Sequence, residues 1–107
     1  PDFQGITQHI QTVLDARPEI MSHNMETVER LHRRIRPQAQ YQRSLGVLRQ
    51  SVTAGLQTKT SIMVGIGETK AEIFELMDDI QATGCQIFSV GQYLQPTQAH
   101  EPVHRFV

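Results

Sequence analysis

Polar and glycine residues able to hold a small molecule fall in three groups along this chain. The first is His23-Asn24-Met25-Glu26, the second Gly65-Ile66-Gly67-Glu68, and the third Gly91-Gln92-Tyr93-Leu94-Gln95-Pro96. A carboxylate such as Glu26 accepts hydrogen bonds from hydroxyls, and an amide such as Asn24 or Gln92 both donates and accepts. Glycines let a ligand come close to the main chain. Each group also reads as an ordinary turn, in which Asn caps a helix and Gly reverses the chain. Three of them, each following a β-rich run, favour one shared site. The run Val64 to Thr69 lacks the third glycine of a dinucleotide fingerprint and the Gly-Lys-Ser/Thr of a phosphate loop, so alone it is a weak nucleotide signal.

The remaining reactive residue types are scattered. His100 and His104 stand four apart, but Pro102 between them argues against a helical pair of metal ligands. His9 and His32 stand alone on helices and read as solvated. The single cysteine, Cys85, follows Gly84 at the start of a strand, far from the three groups, and reads as a buried thiol rather than a nucleophile. No catalytic Ser/His/Asp arrangement stands out. Arg30, Arg33, Arg34 and Arg36 gather on or near one helix, with Glu26–Arg30 and Glu29–Arg33 spaced i to i+4. This reads as a solvated, salt-bridged face; the functional reading is docking of an acidic partner.

The elements that must position these groups follow from periodicity. Ile6, Ile10, Val13 and Leu14 predict a helix over 6–16, ended by Pro18. Glu19 to His23 reads as a strand, and Asn24 as the cap of a helix carrying Met25, Val28, Leu31 and Ile35 up to Arg36-Pro37. Tyr41, Leu45, Leu48 and Val52 predict a third helix, with Gly55 past its end. Thr58 to Val64 is β-branched and reads as a strand; Gly65 to Thr69 is a turn. Ile73, Leu76, Met77 and Ile80 form a fourth helix closed by Gly84, and Gln86 to Val90 is the third strand. Residues 91–107 read as irregular loop. Strands alternating with helices predict an α/β fold of parallel βα repeats with right-handed crossovers. The connecting helices should cover one sheet face and leave the other bare, as in part of a barrel. The bare face and broken edge are expected to self-associate.

Bulk properties set outer bounds. The 107 residues suffice for one domain with a modest core. A net charge of -1 exerts no global pull toward nucleic acid or anionic membrane, and no apolar run reaches the roughly 18 residues of a membrane span. One cysteine forbids an intramolecular disulfide, which fits a reducing compartment. The first residues carry no basic or apolar leader pattern, and both ends read as cut points within a longer protein.

In order along the chain, several stretches together resemble lipoyl synthase, a radical S-adenosylmethionine (SAM) enzyme. They are Pro1-Asp2-Phe3-Gln4-Gly5; His23 to Val28; Arg36-Pro37-Gln38-Ala39-Gln40-Tyr41 with Ser44-Leu45; Thr58 to Thr69; and Gly91 to Pro96 with His100, Pro102 and Val103. The resemblance implies the second half of a partial (βα)6 barrel, about strands four to six. It implies an enzyme that inserts two sulfur atoms at C6 and C8 of a protein-bound octanoyl chain. Its cofactors would be SAM and two [4Fe–4S] clusters, and its partners octanoylated carriers such as lipoyl domains and the glycine cleavage H protein. It would reside in the cytoplasm, or in the mitochondrial or plastid matrix of a eukaryote.

Residue by residue, the resemblance implies that Asn24 and Glu26 read the SAM ribose. Ser61, Met63, Gly65 and Glu68 would lie against adenine, and Gln92, Tyr93 and Leu94 would meet its edge. Arg36, Tyr41, Ser44, Lys59 and His100 would face the substrate cavity. The family's cysteine motifs, C-x-x-x-C-x-x-C and C-x-x-x-x-C-x-x-x-x-x-C, are not present, so this chain alone is expected to hold no cluster and to be inactive. Thr60 and Gln98 are small departures within matching stretches. Other readings are a different radical SAM enzyme such as a biotin synthase relative, a stand-alone nucleotide-binding α/β domain, or an inert structural fragment.

Overall fold

A computed structural model describes residues 1–107. A 3-10 turn at Phe3–Gly5 precedes α1 (Thr7–Asp15), β1 (Ile20–Ser22), α2 (Glu29–Ile35), α3 (Tyr41–Thr53), β2 (Gln57–Val64), α4 (Lys70–Ala82) and β3 (Ile87–Gln92). The three strands form one parallel sheet in the order β1-β2-β3. This is the α/β arrangement of parallel βα repeats that the sequence predicts, consistent with part of a radical SAM barrel.

The helices pack on one sheet face. Along β2, Thr58, Thr60 and Ile62 are buried while Lys59, Ser61 and Met63 are only half covered. That alternation is the period of two expected of a strand with one dry face. The main core joins Met25, Val28, Leu31, Tyr41, Leu45, Leu48, Ile62, Ile66, Leu76, Ile80 and Tyr93. A second core of Ile10, Leu14, Met21, Val47 and Leu56 fixes α1 against α3 and β1. Ser51 on α3 faces Thr58 on β2, with their hydroxyls 2.7 Å apart. Gly55 and Gly84, at φ +83° and +85°, end α3 and α4 in the left-handed region where side chains are disfavoured. No helix is long and apolar enough to cross a membrane.

The stretch after β1 departs from the sequence reading. Asn24 does not cap α2, and Met25 is not helical: α2 begins at Glu29, with Val28 before it and no side-chain cap. Instead residues 23–26 continue along β2. The His23 amide donates to Lys59 O at 3.0 Å, the Glu26 amide to Ser61 O at 3.0 Å, and the Met63 amide to Glu26 O at 2.8 Å. Ser22 lies opposite Lys59 and Glu26 opposite Ile62, so this strand carries one residue more than its neighbour. The extra residue makes a bulge. Within it the Met25 amide is satisfied by Thr60 Oγ1 at 3.0 Å, and Met25 is fully buried. Buried amides must find acceptors, and β2 supplies them here more completely than an isolated first helical turn would.

Three smaller expectations also change. β3 runs on to Gln92, because Gly91 and Gln92 pair with Met63 and Val64. His32 is not solvated; it is 4% exposed and its ring meets Tyr41 edge-on at 5.4 Å. Glu26 does not pair with Arg30, because it stands outside the helix. Arg30 instead forks onto Glu72 of α4 at 2.8 and 2.9 Å.

Candidate functional site

The carboxyl ends of the three strands meet on one rim. In parallel α/β structures this end gathers loops and free main-chain groups, and it is where ligands bind. The rim encloses an open cavity of about 530 Å³. Its walls come from all three predicted groups: Glu26 after β1, Met63 and Ile66 at the end of β2, and Tyr93 after β3. Arg34, Ile35 and Arg36, at the end of α2, and Pro96, Ala99, His100 and Glu101 complete it.

Glu26 occupies the bulge at φ +66°, a left-handed conformation that a side-chain-bearing residue seldom adopts. Its main chain is held on both sides by β2, while its carboxylate has no protein hydrogen-bond partner and borders the cavity. Strained, over-determined positions of this kind concentrate at ligand sites. Asn24 contributes its carbonyl oxygen, which accepts from Arg36 Nη1 at 2.9 Å and so orients that guanidinium along the wall.

The glycine loop after β2 is built around Glu68. Its carboxylate accepts from the Gly65 amide at 2.5 Å and the Ile66 amide at 3.0 Å. Glu68 is thus committed to shaping the loop. Gly65 O accepts from the amides of His104 and Arg105 at 2.8 and 3.2 Å, which folds the C-terminal segment back over the loop. Gln92 pins the same segment: its Nε2 donates to Arg105 O and its Oε1 accepts from the Val107 amide. Tyr93 is buried, and its hydroxyl donates to Glu101 O at 2.6 Å. Leu94 points into solvent at 66% exposure. His100 lines the cavity with Nδ1 2.7 Å from Thr97 Oγ1.

Not every residue assigned from the sequence reaches this cavity. Tyr41 and Ser44 lie in the helical layer. The Tyr41 hydroxyl donates to Asp79 at 2.5 Å, and burial, reinforced by that carboxylate, pushes its pKa well up. Ser44 is fully buried, 3.1 Å from Nε2 of His23. Burial, with the positive charge of Arg36 nearby, brings His23 down to about 4, so it is neutral. Lys59 and Ser61 lie lower on β2, on the sheet face that no helix covers. Gly65, Met63 and Ile66 form the loop side of the rim.

Sequence reasoning missed the fastening of this rim from outside. Arg30 donates to Gly67 O at 2.9 Å as well as to Glu72, and Glu72 also accepts from the Thr69 amide at 2.9 Å. Hydrogen bonding from Arg30 leads the causes that hold Glu72 at about 2. Part of this was readable: Thr69 followed three residues later by Glu72 is the signature of a capping box, and the structure forms it. Glu101, which bridges His104 at 2.8 Å and Arg34 at 3.3 Å, had no sequence signal. Cys85 is half-buried beneath the sheet; its thiol donates to Thr58 O and burial raises its pKa. No group of three or more His, Cys, Asp or Glu side chains is gathered closely enough to hold a metal ion.

The whole chain aligns with curated lipoyl synthases. It is 52% identical over 107 residues to the "Lipoyl synthase" of Bacteroides fragilis, covering all of this chain and 37% of that protein. Along its whole length the chain is similar to lipoyl synthases, consistent with its being part of one. Lipoyl synthases of Phocaeicola vulgatus and Frankia alni are each 50% identical over the same 107 residues, which make up 38% and 33% of their lengths. The chain therefore spans little more than a third of the relatives it matches. No protein-family model matches it.

Proposed function

We propose that this chain forms the nucleoside-facing wall of the SAM site in a lipoyl synthase. The observation that carries this is Glu26: an unpartnered carboxylate, held at φ +66° by main-chain bonds on both sides, on a rim cavity of about 530 Å³. Such a carboxylate suits two vicinal hydroxyls, which need an acceptor and offer no charge. Ile66, within the Gly65–Gly67 loop, lies in the same wall, Met63 offers apolar surface for a flat base, and Tyr93 also lines the cavity. These residues fit a nucleoside. Glu26, with the main chain near Asn24, would hold the ribose, and Met63, Ile66 and the segment Gln92 to Leu94 would border the base. When bound, SAM supplies the radical that removes hydrogen from the substrate chain.

In the whole enzyme the reaction would be insertion of two sulfur atoms into an octanoyl chain carried by a lipoyl domain or the glycine cleavage H protein. The residues of this chain do not fit an iron–sulfur cluster. A cluster needs several thiolates, and the one cysteine has its Sγ engaged by main-chain oxygens beneath the sheet. What the chain does is orient and shelter. Arg36 is steered by Asn24 O, and Glu68 holds the two loop amides of Gly65 and Ile66.

The test is SAM titration of full-length, cluster-reconstituted enzyme carrying Glu26→Ala or Glu26→Gly. Loss of charge-assisted hydrogen bonds should weaken binding by about 1–3 kcal/mol. Glycine is the cleaner variant, since it adopts the left-handed backbone freely, so that loss of binding reports loss of the side chain and not backbone strain. An unchanged dissociation constant for both variants would refute the reading.

A further inference from the structure

We propose that Arg30 and Glu72 are positioning residues for SAM, acting from outside the cavity by fixing the peptide at Gly67 and with it the Gly65–Glu68 loop, whose Ile66 lies in the cavity wall. The inference rests on the reading of the rim as the nucleoside site. Arg30 lies on the first turn of α2 and Glu72 on the first turn of α4, so their pairing ties together the elements that leave β1 and β2. One guanidinium makes three bonds: Nε and Nη2 to the two carboxylate oxygens of Glu72, and Nη2 also to Gly67 O. Gly67 sits at φ +119°, where glycine has wide freedom, so its peptide orientation needs an external hold. Arg30 supplies it.

The two halves of the loop are held from different sides. Glu68 takes the amides of Gly65 and Ile66, and Arg30 takes the carbonyl of Gly67. Ile66, fully buried between these anchors, lies in the wall of the rim cavity. Freeing Gly67 O would let the peptide rotate and shift Ile66, although Arg30 itself touches no ligand. A flat bidentate fork is required, which Lys cannot reproduce.

The experiment uses the full-length reconstituted enzyme with Arg30→Ala, Arg30→Lys and Glu72→Gln. Glutamine is accepted at the third position of a capping box, so Glu72→Gln keeps the start of α4 while ending the ion pair. The readouts are SAM dissociation constant, turnover at saturating SAM, and amide exchange at Gly65 to Glu68. Arg30→Ala and Glu72→Gln should raise the SAM dissociation constant roughly five- to tenfold, with turnover at saturation kept and exchange at Gly65 and Ile66 accelerated. Arg30→Lys should recover only part of the affinity. Faster exchange with unchanged SAM affinity would overturn the positioning role while Glu26→Gly still weakens binding. If Glu26→Gly also leaves affinity unchanged, the site reading itself fails and the proposal fails with it.

Discussion

Replacing Gly65 by alanine should do more damage than any other single methyl group added to this chain. Gly65 is buried at φ +90°, and a Cβ built there would lie 2.1 Å from Arg105 O and 2.5 Å from Gln92 Nε2. The left-handed backbone alone costs an alanine about 1–2 kcal/mol. The closer clash is with main chain and cannot be relieved by turning a side chain. The smallest adequate movement lifts the segment around Arg105 away from the rim. That movement gives up the bonds from the His104 and Arg105 amides to Gly65 O and from Gln92 to Arg105 O. At about 1 kcal/mol each they add about 3 kcal/mol. The sum, about 4–5 kcal/mol, approaches the low end of a domain's whole stability of about 5–15 kcal/mol. Urea unfolding followed by circular dichroism measures the loss, and limited proteolysis within residues 101–107 reports release of the segment. Gly46→Ala is the control: Gly46 is helical, nothing lies within 4 Å of its added Cβ, and alanine there should stabilise by about 0.5–1 kcal/mol. A Gly65→Ala protein with the wild-type midpoint and an equally protected segment would refute the reasoning.

Two further predictions concern the protein as a physical object. His23 has a folded pKa of about 4 against an ordinary value of 6.5, so the unfolded chain takes up its proton first. Its contribution is therefore intact above pH 6.5 and is lost as pH falls from 6.5 toward 4, by up to about 3 kcal/mol. Urea midpoints across that range should fall more steeply for wild type than for His23→Gln, and parallel profiles would exclude His23 as the cause. The chain on its own should self-associate or bind hydrophobic dyes. β1 and β3 have unpaired outer edges, and Ile20, Phe74, Met77 and Val90 are each more than two-fifths exposed. Light scattering that shows a monodisperse monomer without dye binding would contradict this.

Much of the architecture was legible because its signals are local. The apolar stripes of α1, α3 and α4, the proline after Arg36 and the glycines at 55 and 84 all act within a turn or two of themselves. What escaped is non-local. Met25, Val28, Leu31 and Ile35 have a helical spacing, and Glu26 stands four residues before Arg30, so local rules favour a helix from Met25 with an ion pair along it. The structure starts that helix at Glu29, because the main chain of residues 23–26 finds acceptors and donors on β2, more than 30 residues away. His32 escaped for a similar reason: its burial depends on Tyr41 from another helix.

The failure of the local reading and the existence of the site have one cause. On a helix, Glu26 would sit within reach of Arg30, and each would neutralise the other on a solvated surface. In the bulge Glu26 is carried to the rim, its carboxylate unpartnered at the cavity. Arg30 is left free to reach Glu72 and Gly67, 42 and 37 residues distant. The left-handed residue that β2 imposes at position 26 therefore does two things at once. It exposes the carboxylate proposed to read the ligand, and it releases the guanidinium proposed to hold the Gly65–Glu68 loop in place. Moving the bulge by one residue would remove both, since a one-residue shift turns the following side chains to the other face of the strand.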